Sequence, residues 1–381
     1  MLPENKITIG FLSPKSLEDK RFLSGTFYTM AKALESTGRV VWIPVKSSSI
    51  WYRLYLKFVK EANRFLPFLK SKLPKLQMWK RRITARSINY GLIEKCDVLF
   101  APMQSGALSA IKPVKPVIYL SDATYHVMID YYWFDLPKKD IEECEFIEKT
   151  AMDNASALVY PSHWAAESAV RDYGQPREKI TFARFGPNID VNAIVPHVFT
   201  FDGHLDILFV GVDWKRKGGL IAVEACKWLN DNGIDSTLHV VGIKSLDPRI
   251  ASLPFVENHG FLNKNNLEDY SKLMALYDRA DCFLLPTLAE CAGICFCEAS
   301  AYGLPSFTHD TGGVCDYVFE GETGCLLSLG STGEDFGRVI KECLEDGRME
   351  TMSKASPEVA RERFSWKVWA ERMEEVIDRV L

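Results

Sequence analysis

Short apolar runs alternate along the chain with longer stretches of helical period. In the first half the runs 7–12, 40–45, 96–102, 117–120, 157–160 and 180–182 read as strands. Between them, 27–34, 140–155 and 163–170 carry apolar positions at three- and four-residue intervals and read as helices. The second half repeats the scheme, with strands at 206–211, 237–242, 282–285 and 306–309 and helices at 220–229 and 267–279. A further helix begins at 364 and runs to 381. Strands alternating with helices predict α/β architecture with two doubly wound halves. Gly186, Pro187 and Asn188 punctuate the chain between the halves and set the expected boundary there.

The most informative run is 282–305. A buried-looking strand, Cys282-Phe283-Leu284-Leu285, is ended by Pro286. Thr287-Leu288-Ala289-Glu290-Cys291-Ala292-Gly293 follows as a loop, and then a short helix containing Ile294, Phe296, Cys297 and Glu298. Gly303-Leu304-Pro305 stops it. Glu290 is therefore expected in a strand-to-helix loop and Glu298 on the helix, with seven residues between them. In parallel sheets such loops lie at the carboxyl edge, where ligands bind. The free N–H groups and dipole of the helix start suit a phosphate.

Composition narrows the class. A chain of 381 residues, 47% hydrophobic and 25% charged, has room for two ordinary domains. No apolar run is long enough to span a membrane, and no signal peptide is expected at the start. The ten cysteines do not follow zinc spacing, and Cys291, Cys295 and Cys297 read as small buried thiols of a reducing compartment.

The net charge of −4 conceals a local excess. Residues 46–90 hold twelve Lys or Arg against the single acid Glu61, which makes the segment +11 and the remainder −15. Trp51, Tyr52, Tyr55, Phe58, Phe65, Phe68 and Trp79 interleave with these cations, and Pro67 and Pro74 cut the stretch. Rings at helical spacing beside cations fit a segment lying on an anionic membrane surface. The alternative is a helical pair whose rings pack on the core while the cations face water. Nucleic-acid binding is not expected, because no such fold is visible and the rest of the chain is acidic.

The run around Glu290 and Glu298 resembles the Glu-x7-Glu signature of retaining glycosyltransferases of family 4, which have the GT-B fold. That resemblance implies two facing Rossmann-like domains, with a C-terminal helix crossing back to the first. It places the domains at 1–186 and 187–363 and the crossing helix at 364–381. It also implies a sugar–nucleotide donor (with UDP or GDP), retention of configuration, and no metal or other cofactor. Glu290 would contact the donor sugar and Glu298 the ribose, with Gly293, Ile294 and Cys295 lining the donor site. Arg184-Phe185-Gly186-Pro187-Asn188-Ile189-Asp190 resembles the family's linker.

Further matches extend the resemblance. Lys217-Gly218 fits the family's Gly-Arg-x4-Lys-Gly, although Val212 stands at the Arg position and Arg216 is displaced. Lys217 and Arg216 would neutralise the departing diphosphate. Ser24-Gly25 partly matches a Gly-Gly pair lying on the donor diphosphate, with Gly25 allowing close approach. The backbone at Phe261 and Leu262 would meet the base. Asp122 is the expected acceptor-side polar group, with N-capping as its other reading and His126 as the other candidate. The expected acceptor is a lipid-linked or cell-envelope glycan, and the expected location the cytoplasm, at the inner membrane face. A sugar–nucleotide epimerase and a non-catalytic membrane-docking module remain as alternatives.

Overall fold

The computed structural model describes residues 7–20, 22–46, 48–65, 73, 75–196 and 198–381. Of the basic segment, Pro67, Phe68, Lys70, Lys72 and Pro74 lie outside the described residues. The chain forms two compact units. One comprises Met1–Ala183 and Trp369–Leu381, and the other Arg184–Val368.

The first unit holds β1 (Thr8–Ser13), β2 (Arg39–Pro44), β3 (Val98–Pro102), β4 (Val117–Leu120), β5 (Ala157–Tyr160) and β6 (Ile180–Phe182). They hydrogen-bond in the order β2-β1-β3-β4-β5-β6, all parallel. Every residue of β3, β4 and β5 is buried, as befits strands covered on both faces. The helix Trp366–Val380 adds Trp369, Met373 and Ile377 to buried positions, and the Trp369 ring meets Phe100 edge-on at 5.9 Å.

The second unit holds β7 (His204–Val210), β8 (Asp235–Val241), β9 (Val256–Gly260), β10 (Cys282–Leu284), β11 (Ser306–His309) and β12 (Gly324–Leu327). Their order is β12-β11-β10-β7-β8-β9, again parallel throughout. The architecture is thus α/β with two six-stranded doubly wound sheets, as the alternating pattern predicts. Residues 184–187 pack within this unit: Arg184 Nε donates to Asp316 O at 2.6 Å, and Phe185 N to the Tyr317 hydroxyl at 2.9 Å. Gly186 is pressed against Phe364 and Trp366, and a Cβ there would stand 2.6 Å from the Phe364 carbonyl oxygen.

In the basic segment the helix Ile50–Phe65 presents three faces. Tyr52 and Val59 are buried, and Tyr52 meets Trp79 of the helix Gln77–Ser87 edge-on at 5.3 Å. Trp51, Leu54, Phe58 and Phe65 form a second stripe and are exposed by 73, 52, 61 and 72%. Arg53, Lys57, Lys60 and Arg64 form a third, solvent-facing stripe. Packing on the core therefore accounts for only one of the faces.

Candidate functional site

Parallel strands deliver their carboxyl ends to one edge, and in the second unit that edge is built by glycine. Gly242, at φ 99°, donates its N–H to Gly260 O at 2.7 Å. A Cβ on Gly242 would stand 2.4 Å from Gly211 O, so the ends of β7, β8 and β9 close up only because no side chain intervenes.

The loop after β7 and the loop after β10 interlock at this edge. Leu288 N donates to Arg216 O at 2.7 Å, and the Arg216 guanidinium donates to Ala289 O at 2.8 Å. Gly218, at φ 72°, precedes the helix Gly219–Asp231 and lies directly on Pro286. The result brings Lys217 Nζ into contact with the Glu290 carboxylate, while Arg216 stands 3.9 Å from the same oxygen. Lys217 is buried and only 12% of the Glu290 side chain is exposed, so this is a shielded ion pair rather than a surface one. Gly313 N fixes the Glu290 backbone through its carbonyl at 3.1 Å.

Gly293 immediately precedes the helix Ile294–Tyr302, whose first N–H groups face the loop end. A Cβ on Gly293 would strike the Phe296 ring at 2.2 Å. Cys295 in the first turn feels Lys217, Glu290 and Glu298 together. Its enclosure pushes the thiol up to about 12, against the pull of Lys217. Glu298 is buried on the next turn, with one oxygen 2.5 Å from Lys264 Nζ and the other accepting from the Tyr277 hydroxyl at 3.1 Å. Phe261 is half exposed beyond β9, with Lys244 over its ring at 5.7 Å, and Leu262 follows it.

These placements sort the expected residues. Arg216, Lys217, Glu290, Gly293, Ile294, Cys295 and Glu298 gather around the two interlocked loops and the helix start. Val212, at the expected arginine position, is 71% exposed. Gly25, Asp122 and His126 belong to the first unit. Gly25, at φ 92°, precedes the helix Thr26–Leu34. Asp122 follows β4 and is partly buried. His126 Nδ1 lies 3.0 Å from Glu145, and its backbone N–H donates to the Tyr173 hydroxyl.

Comparison with known proteins bears on this geometry. Residues 195–359 match the family model for glycosyl transferases group 1, which spans the second sheet from β7 to β12. Several solved structures cover nearly the whole chain. A glycosyltransferase from Rickettsia africae aligns over 99% of both chains at 15% identity with a TM-score of 0.65. HepE of Anabaena, solved in complex with UDP, aligns over 98% of this chain and 100% of its own at 16% identity and a TM-score of 0.62. The fold is GT-B.

Among sequence relatives, a D-inositol 3-phosphate glycosyltransferase from Corynebacterium aurimucosum is 31% identical over 257 residues, 62% of this chain and 60% of that one. WcaL of Escherichia coli K12 and of Salmonella typhimurium match at 27 and 26% identity, and the chain spans about half of their length. Within this GT-B chain, sequence reasoning missed Lys264 and Tyr277 as the partners of Glu298. Lys264 stands two residues beyond Leu262, a signal available in the sequence. Tyr277 lay hidden in the apolar stripe of the helix Leu267–Arg279.

Proposed function

We propose that the chain is a retaining glycosyltransferase that moves a sugar from a nucleoside diphosphate donor to a carbohydrate or glycolipid acceptor, without a metal. The observation that carries the reading is the meeting of Lys217 and Arg216 at Glu290, beside the amino end of the helix Ile294–Tyr302. A diphosphate needs cations and N–H dipoles at one place, because its negative charge grows as the anomeric C–O bond breaks. Lys217, Arg216 and the amides at Ile294 and Cys295 supply both kinds of group. Gly25, just before the helix Thr26–Leu34, is proposed to leave its backbone open to a phosphate.

In this mechanism Glu290 orients the sugar hydroxyls and stabilises positive character at the ring. The departing phosphate oxygen takes the acceptor's proton, and the acceptor oxygen bonds to the anomeric carbon on the face the phosphate leaves. Glu298, steadied by Lys264 and Tyr277, receives the ribose, and the backbone at Phe261 and Leu262 receives the base. Asp122 and His126 serve the acceptor. Support for a nucleotide donor comes from the match to HepE, which was solved with UDP. Glu290→Ala should bind the donor nearly as well in calorimetry and transfer no sugar. Ordinary turnover by that variant would refute the assignment.

The acceptor is proposed to reside at an anionic membrane. The apolar stripe Trp51, Leu54, Phe58 and Phe65 runs beside the cationic stripe Arg53, Lys57, Lys60 and Arg64 on one helix. Such a helix lies in the headgroup layer, rings inward and cations on lipid phosphate. No helix among the described residues is long and apolar enough to cross a membrane. The contact is therefore proposed as peripheral, on the cytoplasmic face. Sedimentation with anionic vesicles should fall with salt, and no binding at low salt would remove the docking idea.

A further inference from the structure

A cluster on the second sheet takes no part in the proposed transfer. His239 of β8 pairs directly with Glu257 of β9 in the parallel register, and His259 lies two residues beyond Glu257. His239 and Glu257 therefore leave the same face of the sheet, and His259, the extra residue of a bulge between the Val240–Asn258 and Val241–Gly260 pairs, reaches them with its ring. Asp206 of β7 pairs with Thr237, two residues before His239, and shares that face.

The donor atoms form a triangle. His239 Nδ1 is 3.1 Å from His259 Nε2 and 3.2 Å from Glu257 Oε2, and the third edge, His259 Nε2 to Glu257 Oε2, is 3.8 Å. Zinc bonds of about 2.0–2.1 Å at tetrahedral angles hold donor atoms roughly 3.3–3.4 Å apart. The three edges bracket that spacing. Two imidazole nitrogens and a carboxylate oxygen also match zinc's preferred ligands, with a fourth position left for water.

The surrounding hydrogen bonds orient the buried ligand. Asp206 accepts from both Nε and a terminal nitrogen of Arg279, at 2.9 and 3.0 Å. It also lies 2.8 Å from His239 Nε2. A carboxylate so placed accepts, so the proton sits on Nε2 when a metal ion takes the lone pair of Nδ1. A carboxylate behind a histidine is the usual means of fixing the tautomer of a metal ligand.

We propose that His239, Glu257 and His259 bind a divalent transition-metal ion of the zinc class, which ties the edge strand β9 to β8 two residues before Phe261. This ion is structural, and the inference stands apart from the metal-free transfer chemistry proposed above.

The test uses the full chain, stripped with chelator and dialysed against Zn²⁺, with Co²⁺ as the spectroscopic probe. Wild type should retain one tight equivalent. Its cobalt form should show visible bands of a four-coordinate ion without the near-ultraviolet band of a thiolate ligand. Glu257→Gln and His259→Ala change an edge strand, should melt like wild type without metal, and should lose the tight equivalent. No tight equivalent in wild type, equal binding by His259→Ala, or a thiolate band would each overturn the site.

Discussion

Glu148 makes a sharp test of the first unit's energetics. It lies on the helix Lys138–Asn154, fully buried, and accepts from the Tyr119 hydroxyl of β4 at 2.9 Å. Burial pushes its carboxyl from the ordinary 4.5 up to about 7, outweighing hydrogen bonds from Tyr119 and Ser105, and the charges of Glu145 and Asp122 add to the rise. The folded state thus keeps a proton that the unfolded chain releases above pH 4.5. The stability that Glu148 contributes therefore falls as pH rises from 4.5 to 7 and levels off beyond. At about 1.4 kcal/mol per pH unit, the loss reaches about 3 kcal/mol. Glu148→Gln keeps an acceptor for Tyr119 and removes the titration. Its β4 and β5 amides should exchange at the wild-type rate at pH 4.5. At pH 8 they should be protected roughly a hundredfold more, read peptide by peptide by mass spectrometry. A protection ratio that does not change with pH would refute the reasoning.

Three further outcomes follow from the site and the basic helix. Lys217→Ala should lower kcat by about 10²–10³, the usual loss for one charge-stabilising donor, in enzyme whose circular dichroism spectrum at the assay temperature matches wild type; undiminished turnover would move the diphosphate elsewhere. Gly218→Val should cost about 2 kcal/mol or more in urea unfolding, because φ is 72° and its Cβ would meet Pro286 O at 2.0 Å. Trp51→Ser with Phe58→Ser should abolish vesicle binding and leave transfer to a water-soluble acceptor fragment unchanged; equal loss of both would show a folding defect instead.

Much of the fold is legible because its punctuation is local. Pro286, Gly293 and Gly303 delimit the strand, loop and helix around Glu290 and Glu298; in the structure the strand ends at Leu284, one residue earlier than expected, and the helix runs between Gly293 and Gly303. The strand Val256–Gly260 is less visible, since Glu257 and Asn258 are exposed on a sheet edge and give no apolar run. Pro357 inside the helix Arg348–Arg363 argues locally against a helix that tertiary packing nevertheless enforces. Gly333 and Gly337 weaken the helix Gly333–Glu345 by propensity, yet Gly337 is small because Trp228 fills the space its side chain would take. Partners such as Tyr277 for Glu298, or His239 for His259, come from distant segments that no window of sequence joins. The basic segment shows its charge plainly, but its division into buried, apolar and cationic faces needed the actual rotation of the helix.

The placement of Trp369 bears on biosynthesis. The unit that a ribosome makes first has Trp369, Met373 and Ile377 in its interior, and these are translated after the whole of 184–368. At bacterial or eukaryotic elongation speeds the gap is roughly 10–40 seconds. During that interval Phe100 lacks the ring that meets it in the folded unit, and the apolar socket closes only once the helix Trp366–Val380 has emerged.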